Sequence, residues 1–304
     1  MDRISTADTT ANPTIATTKA GGVYAVLAYG SWGLLPIYWK FFAQVSAVEV
    51  LSHRMLWSAV FLTSLLWLQH RQAEFRQVWQ ARQIGILLLT ASLLAFNWGL
   101  YIYGVNTERV IETSLGYFIN PLVNVLLGFL FLKERLHRGQ QVAVGLASAG
   151  VLVFIWRFGA VPWIALALAF SFALYGLLRK VVAVAPMVGL AVETILITPI
   201  ALAIVTYLNQ TGNGHWGESF GLTLLFVGCG IVTSFPLLWF NNAAQRLRLS
   251  TLGFFQYFAP SLQLILGVFL YQEPFTATHA ITFGLIWTAL LVYSATSLMQ
   301  ARTA

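Results

Sequence analysis

Charge is scarce in this sequence. Only 9% of its 304 residues are charged, against about 25% in soluble domains, which gives it the composition of a membrane protein. Asp2 and Asp8 are its only aspartates, and both stand in the polar opening stretch, so an intramembrane aspartyl protease pair cannot be built. A single cysteine, Cys229, excludes an intramolecular disulfide and leaves thiolate metal chemistry without ligands. The histidines show no metal-ligand spacing, and neither a Gly-x-Ser-x-Gly elbow nor a phosphate-binding glycine loop occurs. These gaps argue against an enzyme, a metal site or another cofactor, and against ATP-driven transport by this chain alone.

What is present is apolar surface in long runs. Hydrophobic residues make up 58% of the chain, and uncharged stretches of about 20 residues recur, each long enough to cross a hydrocarbon core of roughly 30 Å as a helix. Such runs do not alternate, which excludes a membrane barrel. They predict an all-α membrane protein of ten transmembrane helices, at roughly 20–38, 48–68, 84–104, 111–132, 140–156, 161–178, 187–208, 219–240, 250–270 and 278–299. Residues 1–19, rich in Thr and Ala without a signal peptide's apolar centre, are expected to form a disordered cytoplasmic tail, and 300–304 a short second one.

The net charge of +7 is spread between the runs, without a patch of interleaved aromatics, so it is read as a topology signal and not as a nucleic-acid surface. Thirteen Lys and Arg residues fall on the side of the amino terminus, among them Arg71, Arg76, Arg138, Arg179 and Arg246; three, Lys40, Arg109 and Arg157, fall on the other. Cytoplasmic loops hold the excess. Both termini are therefore expected in the cytoplasm of a multi-pass protein of a bacterial inner membrane.

The chain also repeats itself. At a shift of 140, Ser31-Trp32-Gly33-Leu34 lies over Ser171-Phe172-Ala173-Leu174, and Lys40 over Lys180. At a shift of 139, Pro121 lies over Pro260, Gly128 over Gly267 and Glu134 over Glu273. Residues 20–156 and 157–299 are thus expected to be two five-helix repeats. Because five is odd, the second enters the membrane from the opposite face, and an interface site can face each side in turn.

Ionisable residues inside a span need a partner or a water-filled cavity. Arg54 and Glu193 are the candidates, with His53, which lies over Glu193 at the 140 shift, as a partner for proton coupling. The structural alternative is an ion pair or a residue snorkelling from a helix end. Asn97, Trp98, Tyr117, Asn120, Gln256 and Tyr257 are expected to line a cavity for a small-molecule substrate, although amides also tie helices together. Asn124, Asn241, Asn242 and Gln263 share that ambiguity, and Trp32, Tyr38, Trp39, Tyr101 and Tyr103 are either pocket or interfacial belt. Pro121 and Pro260 are expected to kink or hinge matching helices. Glu134 and Glu273, which end the repeated element, are read as loop charges or helix caps.

Several stretches carry a family resemblance: Trp32-Gly33-Leu34-Leu35-Pro36-Ile37-Tyr38-Trp39-Lys40, His53-Arg54, Asn97-Trp98, Glu112 through Leu122, and Phe254-Phe255-Gln256-Tyr257 before Pro260. The repeat that runs from proline to glutamate resembles the EamA repeat of the drug/metabolite transporter superfamily. More narrowly, these stretches resemble its RarD subfamily, labelled chloramphenicol-sensitive proteins, over about residues 20–298. The resemblance implies a ten-helix bacterial inner-membrane permease with a central cavity, exporting amino acids, related metabolites or drugs; the expected partners are that solute, the lipid bilayer and, on the strength of Glu193 and His53, protons. No residue picks out chloramphenicol. The alternative is a non-transporting membrane scaffold or a lipid scramblase, which needs the same helices but no closed central site.

Overall fold

In lipid every backbone amide must find its partner within the chain, and each long apolar run accordingly folds as a helix. A computed structural model describes residues 15–79, 81–132, 138–182, 184–247 and 255–303; among these there is no strand. The helices are α1 (Ile15–Lys40), α2 (Ala47–Leu68), the short α3 (Gln72–Gln77), α4 (Ala81–Asn106), α5 (Val110–Leu132), α6 (Arg138–Phe158), α7 (Trp163–Val181), α8 (Pro186–Gln210), α9 (Phe220–Arg246), α10 (Phe258–Ile265) and α11 (Ala277–Thr303). A π-helical turn, Leu266–Leu270, extends α10. Among the described residues seven helices are long and apolar enough to cross a membrane: α1, α4, α5, α6, α8, α9 and α11. The 22-residue α2 carries Glu49, His53 and Arg54 in its apolar length, and α7 and α10 are shorter apolar helices.

The boundaries differ from the sequence expectation in places. α1 begins at Ile15, inside the stretch expected to be a tail. α3 is an unexpected polar turn of helix between α2 and α4, held by the Arg71–Glu74 pair at 2.7 Å. α5 runs through Pro121 without a break. Pro260, by contrast, stands in the first turn of α10, just after a turn at Gln256–Tyr257, where a missing amide hydrogen costs little. Glu134 lies outside the described residues.

Short connections send successive helices back and forth between a near face, where α1 begins, and a far face, where it ends. At the far face carboxylates do the capping. Glu273 accepts from the amides of Val110 and Ile111 (2.7 and 2.8 Å), closing the start of α5. Glu112 accepts from the amide of Ile164 (3.0 Å), at the start of α7. A carboxylate at a helix start satisfies orphan donors and complements the dipole. Of the two structural roles expected for Glu273, loop charge or cap, the structure places it as a cap. Burial pushes its carboxyl above the ordinary range, against the two amides and Lys40, which pull it back.

Helix packing is organised in matched pairs. α1 packs on α9 as α7 does on α4, α2 on α9 as α8 on α4, and α1 on α10 as α7 on α5. The pairs α2–α8, α5–α10 and α6–α11 complete the set. Two glycines let one helix lie against the backbone of another. A Cβ on Gly116 would stand 2.7 Å from the Ala165 carbonyl of α7, and one on Gly230 would overlap the Trp57 carbonyl of α2.

Candidate functional site

Between these helices lies a cavity of about 540 Å³, with walls from α1, α2, α4, α5, α7, α8, α9 and α10. Its lining runs from Arg54 and Leu35 to Val184 and Pro186, in and just after the α7–α8 connection of the near face; no far-face connection contributes to it.

Arg54 sits two turns into α2 and is 4% exposed. Its guanidinium lies 3.7 Å from the ring centroid of Trp98 and 4.9 Å from that of Trp39, so two indole faces flank it. Nε donates to Thr233 Oγ1 at 3.0 Å, while Nη1 is buried without a hydrogen-bond partner. No carboxylate of the described residues pairs with it. A buried cation usually has a counter-ion, and here aromatic quadrupoles and one hydroxyl stand in its place.

The amides in the wall are half used. Asn97 donates to the Leu168 carbonyl (3.0 Å) and to Ser171 Oγ (2.9 Å), tying α4 to α7, and its Oδ1 is left buried and unpartnered. Asn120 donates to the Ala169 carbonyl (3.0 Å) and accepts from Asn124 (3.1 Å). Gln263 donates to the Trp32 carbonyl (3.2 Å), again leaving Oε1 unpartnered. Tyr101 and Tyr117 meet edge to face, with centroids 5.6 Å apart, and both line the cavity.

Toward the near face, Glu193 is held by three groups. Thr90 Oγ1 donates at 2.7 Å, Tyr175 OH at 3.2 Å, and Arg179 Nη1 stands 3.7 Å away. Tyr175 and Arg179 reach the cavity; Glu193 lies behind them. His53 is elsewhere. Its ring stacks on Phe226 (4.0 Å) and Trp216 (5.0 Å), with both nitrogens buried and unpartnered. Sequence symmetry suggests His53 and Glu193 facing each other at the cavity, but the two occupy separate clusters, His53 with Phe226 and Trp216, Glu193 with Thr90, Tyr175 and Arg179.

The far end is shut by aromatic stacking. Phe42 packs on Phe226 at 5.1 Å, Trp216 on Trp57 at 5.7 Å, and Tyr38 OH donates to the Leu225 carbonyl. Over this plug the α8–α9 connection is latched to α2: Glu49, 1% exposed, accepts from the His215 amide (2.7 Å) and meets its Nδ1 at 2.8 Å.

Of the residues singled out from sequence, Trp32, Arg54, Asn97, Trp98, Tyr101, Tyr117, Asn120, Gln256, Pro260 and Gln263 line the cavity. Tyr257 does not. It is turned toward the outer surface, in a shallow groove with Val26, Phe258 and Ser261, and packs on the core of α5, α7 and α11. Pro121 and His53 are also outside the lining. Thr233, Tyr175 and Arg179 escape a sequence reading. A membrane hydroxyl usually bonds back to its own helix, as Thr194 does, and Arg179 is absorbed by the loop charge count. The side chain of Asn241 lies outside the described residues.

Comparison with known proteins agrees with this architecture. The sequence profile described as the EamA-like transporter family matches twice, at residues 19–156 and 160–295. Protein RarD of Salmonella typhi is 45% identical over 278 residues, covering 91% of this chain and 95% of that protein. An uncharacterized transporter of Vibrio cholerae is 46% identical over 288 residues, covering 94% and 95%, and a protein of Pseudomonas aeruginosa named chloramphenicol-sensitive protein RarD is 28% identical over 263 residues, covering 85% and 88%. A solved crystal structure shares the fold, with a TM-score of 0.61 at 17% identity over 90% of this chain and 97% of that one. The chain is a multi-pass membrane protein, and it belongs to the EamA-like transporter family.

Proposed function

We propose that this chain is a secondary transporter of small metabolites, of the class of amino acids, related compounds or drugs, working by alternating access in a bacterial inner membrane. The observation that carries this is the cavity: it is walled by both halves of the chain, shut at the far end by the Phe42–Phe226–Trp216 plug, and continued to the near-face residues Val184 and Pro186. A scaffold or a scramblase has no use for a cavity shut at one end with a buried cation and a few amides in a largely apolar wall. Ten spanning helices in two inverted five-helix repeats are supported by the matched packing pairs and by the two successive family matches. The loop charges favour cytoplasmic termini, which makes this the inward-facing arrangement. Arg54, Asn97, Trp98, Tyr117, Asn120 and Gln256 are the residues assigned to solute contact, and the region around Pro260, with its turn at Gln256–Tyr257, to a hinge.

Proton coupling is assigned to Glu193, because its carboxylate is buried and its neighbours Tyr175 and Arg179 connect it to the cavity. In proteoliposomes the protein is expected to catalyse saturable flux and counterflow of a solute from a panel of amino acids and antibiotics. No flux for any member counts against transport.

A further inference from the structure

We propose that the transported solute is a monocarboxylate with a flat apolar body, its carboxylate docking on Arg54. This rests on the transport function proposed above and names the chemistry of its site.

Arg54 is the charged side chain of the cavity lining that has no counter-charge among the described residues. Its Nη1 is buried with no partner, and the nearby acids are all engaged. Glu193 is held by Thr90, Tyr175 and Arg179, Glu49 by His215, Glu112 by Ile164 and Arg109, and Glu273 by Val110 and Ile111. An unpartnered guanidinium N–H is a donor for an anion, and a planar carboxylate suits a guanidinium. Charge then selects among anions. Arg179, the other cation in the lining, already faces Glu193, so one positive charge remains for the solute. A phosphate monoester carries about −1.5 to −2 at neutral pH, more than this site balances.

The rest of the wall fits an apolar body. Trp98, over the guanidinium, and Tyr101, Tyr117, Phe172 and Trp32 face the cavity, while Trp39 backs the guanidinium from the core. A volume of about 540 Å³ is that of a site for a metabolite or drug-sized solute.

The test uses the purified full-length protein in detergent. Tryptophan fluorescence and thermal unfolding are followed during titration with 3-phenylpropionate and L-phenylalanine, with their uncharged-carboxyl counterparts 3-phenylpropionamide and L-phenylalaninamide, and with phenyl phosphate. Each carboxylate is expected to act at about tenfold lower concentration than its amide, and Arg54→Gln to bring acid and amide together. The comparison in the unaltered protein stands even where that variant does not fold. The assignment is overturned by silent carboxylates, by amides that act as well as acids, by phenyl phosphate acting at lower concentration than both carboxylates, or by an acid preference that survives Arg54→Gln. Flux of neutral or cationic solutes in liposomes, with carboxylates inert, overturns the assignment and leaves transport standing. Carboxylate binding without flux of any solute does the reverse.

Discussion

A charge inside a bundle is costly unless something answers it, and the two charged residues placed deepest here are answered differently. Arg54 meets indole faces and a single hydroxyl; Glu193 meets two hydroxyls and a cation. Thr90 and Tyr175 donate to different oxygens of Glu193, so Glu193→Gln keeps an acceptor for one of them and leaves Arg179 without its counter-charge. Flux driven by an imposed pH gradient is expected to lose its dependence on that gradient in this variant, while counterflow, which needs no net proton movement, persists. Gradient-driven flux that is unchanged rules Glu193 out as the coupling group. Trp98→Leu removes the closer of the two faces over Arg54, and half-saturation for the solute is expected to rise about 5- to 30-fold, corresponding to a loss of about 1–2 kcal/mol; unchanged counterflow kinetics speak against the stacking role. Much of this site is readable in sequence, because polar residues are rare in apolar runs and each one invites a question. Tyr257 shows where that stops. It adjoins Gln256 in the chain, but a turn sends the two side chains to opposite sides of the wall.

Helices are held at this spacing by what their contacts lack. Gly230 lets α9 lie against the backbone of α2 at Trp57, and the far-face plug of Phe226, Trp216 and His53 is built on that contact. Gly230→Val is expected to separate the two helices and lower stability by about 1–3 kcal/mol, seen as a lower unfolding temperature and greater accessibility of the far end. An unchanged melting temperature contradicts so close an approach. Glu273 tests the capping of α5. Burial makes the folded chain hold this proton more tightly than the unfolded chain does, so the carboxyl's share of stability declines as pH rises through and beyond the ordinary carboxylate range. Glu273→Gln is expected to remove that slope from a plot of melting temperature against pH; an unaltered slope means the carboxyl is not its source. Long apolar runs made most helices legible, since length and lack of charge are properties of composition. The short α3 was not, because six residues, four of them polar, carry no apolar run. Nor was the π turn that ends α10, although its counterpart α5 shows no such turn.

At the scale of the molecule, α1–α9 packing is matched by α7–α4 and α2–α9 by α8–α4, and the alternating access proposed above requires the matched contacts to exchange. Sequence shifts of 140 and 139 residues announced the duplication. They gave no sign of which face the cavity meets, since that depends on how tightly each matched pair closes. Cys229 reports on this directly. It is the only cysteine in the chain, is 0% exposed, and lies beside Tyr38 behind the far-face plug, while Leu238 lines the cavity. The most direct measurement is labelling by a membrane-impermeant maleimide of Cys229 from the far face, and of Leu238→Cys in a Cys229→Ser background from the near face, with and without transported solute. Alternating access requires the two to change in opposite directions, Cys229 gaining reactivity as Leu238→Cys loses it. Cys229 inert under every condition, or both positions opening together as in a pore, contradicts it.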